Sequence, residues 1–247
     1  MEVHHHSHSS RKKWTHYFWE FLMLFLAVFC GFLAEYKLEH TIEHQREKKL
    51  VESLIHDVAA DTLRLKTILN ARTEKAWMMD SLSAILNAGP PYDSTNVIYN
   101  YAVWVLRTIQ YRFIPNEGTM QQLKNAGGLR LIQKLYVADS ITRYDGAIRT
   151  LQRQQDLEES VMGDYRLMAH RVFDGRVFNR MMNTDNIPSL VTDNPPLIVF
   201  TKADLVEFNF KLFLVQAQNR VNRREGRRLI MQGANLINLL KKEYNIK

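Results

Sequence analysis

Apolar residues crowd the stretch Tyr17 to Ala34, YFWEFLMLFLAVFCGFLA, in which Glu20 is the only charge. At the rise of an α-helix this run is roughly 27 Å long, close to the hydrocarbon thickness of a bilayer, so it predicts a membrane-spanning helix over 14–36. Glu35 to Lys49 is polar on nearly every face and lacks Gly and Pro, which reads as a helical stalk over 37–50. An apolar stripe then runs through Val51, Leu54, Ile55, Val58, Leu65, Ile68, Leu69, Ala76, Met79, Leu82 and Leu86. That spacing is helical. Gly89-Pro90-Pro91 stops it, because proline lacks an amide and clashes with the preceding turn.

The remaining pattern predicts a helical bundle domain over 51–247. Asp93 and Ser94 are placed to cap a second helix reaching about Tyr111, apolar enough to lie centrally. Ile114 to Gly118 reads as a loop, Thr119 as the cap of a short helix, and Gly127-Gly128 as its left-handed stop. A long helix is expected from about Leu129 to Phe173, with Val137, Ile141, Tyr144, Ile148, Leu151, Met162, Tyr165 and Val172 on one stripe. Between 174 and 200 the periodicity vanishes and Pro188, Pro195 and Pro196 mark an irregular connection. Thr201 and Asp204 resemble a capping box opening a last helix to about Tyr244. Leu214, Val221, Leu229, Leu236 and Leu240 are its expected seam, with Gly226 and Gly233 permitting close packing along the seam's edge. The expected fold class is all-α: a transmembrane helix, a stalk and an antiparallel bundle.

Composition agrees with helices, since Gly and Pro are sparse among 247 residues. The single cysteine, Cys30, lies inside the apolar run, which excludes a disulfide or a Cys-ligated metal in the bundle. A formal charge of +7 attracts polyanions. With a membrane anchor, anionic lipid is the expected one rather than nucleic acid, and a solvated helical surface is the plain alternative.

The N-terminal tail over 1–13 holds a histidine-rich run and then Arg11, Lys12 and Lys13. A signal peptide would need small residues at its cleavage site, but Phe32 precedes Ala34 by two positions and Phe29 precedes Cys30, so the anchor is expected to be retained. The basic triplet places the tail in the cytoplasm and the bundle outside, in the periplasm of a Gram-negative host's inner membrane. On a helical wheel Glu20, Ala27, Gly31 and Ala34 share an arc of about 60°, a candidate oligomer seam of small residues. Glu20 either snorkels to water or handles an ion for a separate channel subunit.

Two further constellations carry chemistry. His40-Thr41-Ile42-Glu43-His44 follows the H-x-x-E-H order in which two imidazoles hold zinc and the glutamate activates water, but an exposed stalk offers no pocket for catalysis. Arg220, Arg223, Arg224, Arg227 and Arg228 form one basic helical face suited to lipid, phosphate or a protein partner. Asp156, Glu158 and Glu159 fall at a similar height on the antiparallel neighbour, which predicts that they pair with Arg220, Arg223 and Arg224. No P-loop, dinucleotide fingerprint or serine elbow is present, and His56, Asp57 and His170 have no visible nucleophile partner.

Gly118-Thr119-Met120-Gln121-Gln122-Leu123-Lys124-Asn125-Ala126-Gly127-Gly128-Leu129-Arg130-Leu131-Ile132, behind one span and a charged stalk, resembles a segment of an uncharacterised bacterial family of single-span membrane proteins. The span here is richer in Phe than that family's. The resemblance implies an extracytoplasmic helical domain and carries over no catalytic residue. The expectation is a non-enzymatic scaffold, sensory or partner-binding protein without a cofactor, in contact with lipid and with a protein partner or further copies of itself.

Overall fold

The computed structural model describes residues 14–89, 92–125, 127–198 and 201–246. The histidine-rich tail, the basic triplet and Pro90-Pro91 lie outside the described residues. Those described form an all-helical chain: α1 (Trp14–Ala88), α2 (Thr95–Val105), α3 (Gly118–Asn125), α4 (Gly128–Leu131), α5 (Leu135–Ala169), α6 (Gly175–Met181) and α7 (Lys202–Tyr244). Two compact units follow each other, residues 1–49 and 50–247. In the first, α1 is long and apolar enough to cross a membrane, and its Phe, Trp, Met and Val side chains between Trp14 and Phe32 are exposed.

The second unit is built on α1, α5 and α7. Along α1 the buried positions are Val51, Leu54, Val58, Asp61, Leu65, Ile68, Arg72, Lys75, Met79, Leu82 and Leu86. Their steps alternate between three and four residues, the heptad spacing that keeps one seam turned toward partner helices. On α5 the same rhythm buries Val137, Ile141, Tyr144, Ile148, Leu151, Gln155, Glu158, Met162 and Tyr165, and on α7 Phe208, Leu212, Val215, Asn219, Asn222, Gly226, Leu229, Gly233, Leu236 and Leu240. Arg72 meets both Glu158 and Asn219, while Asn87 meets Asn209, so α7 runs against α1.

Polar residues at adjacent heptad positions divide the interior. On one side, Met79, Leu82, Tyr165 and Phe208 join α2 and α6 in an apolar cluster; on the other, Val51, Leu151, Leu229 and Leu240 cluster with Phe113, Leu123 and Ile132. Between them lie Arg72, Lys75, Gln155, Glu158, Asn219 and Asn222, all buried.

Gly226 and Gly233 sit where side chains of neighbouring helices lie close against α7. A Cβ on Gly226 would lie 2.8 Å from a terminal methyl of Leu69, which can rotate away. On Gly233 it would meet Thr62 Oγ1 at 2.9 Å, Val58 Cγ1 at 3.2 Å and the Tyr144 ring at 3.3 Å, all stiff groups. Gly226→Ala is therefore expected to be neutral or stabilising, since alanine gains about 1 kcal/mol of helix propensity. Gly233→Ala should lose about 1–2 kcal/mol net by overpacking. Urea unfolding of the two variants checks the contrast, and the opposite order would contradict this packing.

Several boundaries differ from the sequence expectation. The helix expected to reach Tyr111 stops at Val105, and one tight turn at Ile109–Tyr111 follows. The long helix expected from Leu129 is interrupted after α4, because Ile132 turns extended and buries its side chain before α5 begins. Within the irregular 174–200 connection, α6 forms behind Asp174, whose side chain accepts from the Arg176 amide at 2.9 Å. Thr119 lies inside α3 rather than capping it, and its hydroxyl donates to Asp57 at 2.6 Å. On α7, Leu214 and Val221 are half-buried flanks of a seam that Val215 and Asn222 occupy. The Thr201–Asp204 capping box is present, and Gly127 adopts the left-handed conformation at the α3–α4 corner.

Candidate functional site

The early end of α2 leaves carbonyls without helical donors, and an unpaired buried carbonyl is costly. Cations from the long helices take them. Arg166 donates to Leu106 O at 3.2 Å, Lys75 to Arg107 O at 2.7 Å, Arg72 to Tyr111 O at 2.8 Å and Arg64 to Ile114 O at 2.7 Å. Acids hold the other groups of the same segment: Glu159 accepts from Thr108 Oγ1 at 2.7 Å, Asp61 from the Asn116 amide at 3.0 Å and Asp57 from Thr119. In the orientation its surroundings require, the Gln155 amide donates to Phe113 O at 3.3 Å and accepts from Phe113 N at 3.1 Å. Residues 106–119 are thus a strap laid along α1 and α5, with Tyr111 and Phe113 pressed inward.

Arg72 is the centre of this layer. Its Nη1 and Nη2 donate to the two oxygens of Glu158 at 2.9 and 2.7 Å, a bidentate pair, and Nη1 also donates to Asn219 Oδ1 at 3.1 Å. Asn222 Nδ2 donates to Glu158 Oε2 at 2.8 Å, and Asn219 Nδ2 returns to Arg72 O at 3.1 Å. One salt bridge therefore ties together all three long helices and the strap. Lys75 is fully buried one heptad position away, its Nζ 4.6 Å from the centre of the Tyr111 ring. Burial pushes its amine down to about 8, despite the opposing pull of Glu158. Burial likewise raises the Asp61 carboxyl, while the Arg166 and Thr108 hydrogen bonds lower that of Glu159.

A recess of about 250 Å³ beside the strap is lined by Arg72, Thr108, Ile109, Arg112, Gln155, Glu158 and Glu159. Each charged group on its wall already has a partner: Arg112 holds Asp156 at 2.7 Å and Arg166 holds Glu159 at 2.5 Å. Chemically this is a structural clamp, with its cations and carboxylates spent on one another.

The acidic trio accordingly pairs elsewhere than with the α7 arginines. Glu158 does lie at the height of the basic row, as its contact with Asn222 shows, but Asp156 turns to Arg112, Glu158 to Arg72 and Glu159 to Arg166. On α7 Arg220, Arg224, Arg227 and Arg228 are exposed and Arg223 is half-buried. Arg224 and Arg228 share Glu225 at 3.0 and 3.3 Å, Arg223 Nε is buried without an acceptor, and no ion pair of Arg220 or Arg227 occurs among the described residues.

In the first unit the small-residue positions Ala27, Gly31 and Ala34 are exposed on α1, and Glu20 lies 3.1 Å from His16 Nε2. His40 packs edge-on against Tyr36 with ring centres 5.4 Å apart, and His44 Nδ1 is 3.3 Å from Glu47 Oε2. Each imidazole of the H-x-x-E-H run thus contacts a neighbour outside that trio. Among the described residues no three His, Cys, Asp or Glu side chains gather as a metal-binding group. The buried Arg72 and Lys75 are absent from the sequence expectation, and Glu158 enters it only as a partner of the α7 arginines, although heptad spacing places all three on buried seams. No protein-family model, curated protein or solved structure matches the chain.

Proposed function

We propose that this chain is a single-span inner-membrane protein whose helical bundle lies outside the cytoplasm, in the periplasm of a Gram-negative cell, and acts by binding a protein partner rather than by catalysis. The observation that carries the reading is the exposed apolar run from Tyr17 to Ala34, which has the length of a bilayer core and leads into a folded unit of its own. Support for binding over catalysis comes from the clamp, whose ionisable groups are engaged in holding helices and strap together. On the basic face of α7, by contrast, Arg220, Arg224, Arg227 and Arg228 are exposed.

Membrane residence is testable by carbonate extraction of cells expressing the full chain. The protein should stay in the pellet, whereas the double variant Phe25→Arg/Val28→Arg should leave it, because each central arginine costs about 3 kcal/mol of insertion. Retention of that variant would contradict a spanning role for this stretch. Alkaline phosphatase fused after Lys247 should be active and a fluorescent protein dark; the reverse pattern overturns the orientation.

A further inference from the structure

The outward side of α7 carries a second, unused heptad stripe. Val206, Phe210, Phe213, Ala217, Arg220, Arg224, Arg227 and Met231 succeed one another in steps of four and three. At 100° per residue their mean direction is roughly opposite the buried seam of Phe208, Leu212, Val215 and Asn219. Val206 is 63%, Phe210 58% and Phe213 50% exposed; Leu63 and Leu167 are as exposed singly, but these three succeed one another along one face, and it is contiguity that marks an interaction surface. The rings of Phe210 and Phe213 lie 6.3 Å apart, beside a shallow hollow lined by Val206, Ala203 and Phe210.

The stripe is divided along its length. Val206 to Ala217 is apolar, and Arg220 to Arg228 is basic, with Glu225 the single carboxylate among five guanidiniums. We propose that this face docks a protein helix that presents apolar residues at one end and acidic residues at the other, at heptad spacing. This rests on the partner-binding function above and names the partner's chemistry.

Two other occupants fit the stripe less well. A bilayer surface takes up a helix whose apolar residues run along one side with basic residues flanking them. Here Arg220, Arg224 and Arg227 occupy the same side as the phenylalanines, so laying the stripe on lipid would drive guanidiniums in at the depth of the rings. A second copy brings arginines against arginines in a parallel pairing, and in an antiparallel one it sets Arg224 and Arg227 against Phe213 and Phe210 with no added acid. An acidic helix neutralises the exposed Arg220 and Arg227.

The test uses the full chain in nanodiscs of zwitterionic lipid and a labelled synthetic helix with leucines in one half and glutamates in the other at a and d positions, read by fluorescence anisotropy. Binding should fall at least tenfold for Arg220→Glu/Arg227→Glu and for Phe210→Ser/Phe213→Ser, with unchanged melting because all four side chains are exposed. Replacing the glutamates by lysines should restore binding to the charge-reversed variant alone. Equal binding of a peptide with the same residues in scrambled order, or loss without rescue, overturns the proposal. So does preferential binding of this face to phosphatidylglycerol vesicles, or a dimer of the full chain that Phe210→Ser/Phe213→Ser dissolves. In cells, a photo-crosslinking residue at position 213 should form protein adducts that Arg220→Glu/Arg227→Glu removes. Adducts at 63 or 167 but none at 213 would sink this surface and leave partner binding standing, and none at any position would sink both.

Discussion

Arg72→Met and Glu158→Leu should each lower the stability of the bundle by about 3–5 kcal/mol, because either change leaves the other charge buried without its counter-ion. For a unit of this size that corresponds to a melting point lower by roughly 10 °C. The pair is bidentate at 2.9 and 2.7 Å and nearly free of solvent on both sides, so water does not take the place of the missing partner. Arg72→Met/Glu158→Leu should lose much less than the sum of the single losses, since two apolar groups replace two charges. It will not be free of cost. Tyr111 O and Asn222 Nδ2 lose partners with the pair, a penalty of about 1–3 kcal/mol for each group left unsatisfied. Full-chain unfolding in detergent, followed by helical circular dichroism, completes the double-mutant cycle. Additive losses would mean that Arg72 and Glu158 stabilise the fold independently of one another.

The cycle also addresses why so much polarity lies at heptad positions. Seams of Leu, Val and Ile slide past one another by a heptad at modest cost, whereas a single buried polar pair is satisfied in only one alignment. Arg72, Glu158, Asn219 and Asn222 contact one another in one register of α1, α5 and α7, and the strap carbonyls of Arg107 and Tyr111 add a fourth condition. The clamp is thus expected to set alignment, while the two apolar clusters on either side supply most of the burial.

How far the fold could be read from residues alone depended on the kind of signal. The apolar run, the Thr201–Asp204 box and the end of α7 near Tyr244 are local signals, and the structure has all three. The break after Ile132 and the end of α2 at Val105 are decided by tertiary partners. Nothing between Leu106 and Tyr111 announces that Arg166, Lys75 and Arg72 will take its carbonyls. The clamp itself was half legible. A stripe chosen by hydrophobicity passes over Asp61, Arg72 and Lys75, but the alternation of three and four from Val51 to Leu86 places all three on the buried seam. For Asp156, Glu158 and Glu159, height along the antiparallel helices was the right guide to the neighbour of Glu158, yet residues 156 and 158 point about 200° apart on a helix, so they cannot face one arginine row together.

Lys75 offers the sharper test of the clamp's electrostatics, through pH. Its ordinary value near 10.5 is pushed down to about 8 in the folded chain, chiefly by burial, with Arg72 and Arg166 acting in the same sense and Glu158 and Glu159 against it. Between these values the unfolded chain holds a proton that the folded chain does not, so stability rises with pH across that window. Below about pH 8 the folded chain carries the whole cost of the desolvated ammonium, about 3 kcal/mol. Lys75→Met removes this dependence along with the hydrogen bond to Arg107 O, whose loss is the same at every pH. The difference in unfolding free energy between wild type and Lys75→Met should therefore shift by about 2–3 kcal/mol in favour of wild type from pH 7 to pH 10. The buried phenols of Tyr144 and Tyr165, raised by burial, lower stability only above pH 10 and do so in both proteins. Urea unfolding at pH 7, 8, 9 and 10 measures the difference directly. Parallel curves would mean that Lys75 keeps an ordinary proton affinity despite its burial, and that the Tyr111 ring and the Arg107 carbonyl solvate the ammonium as well as water does.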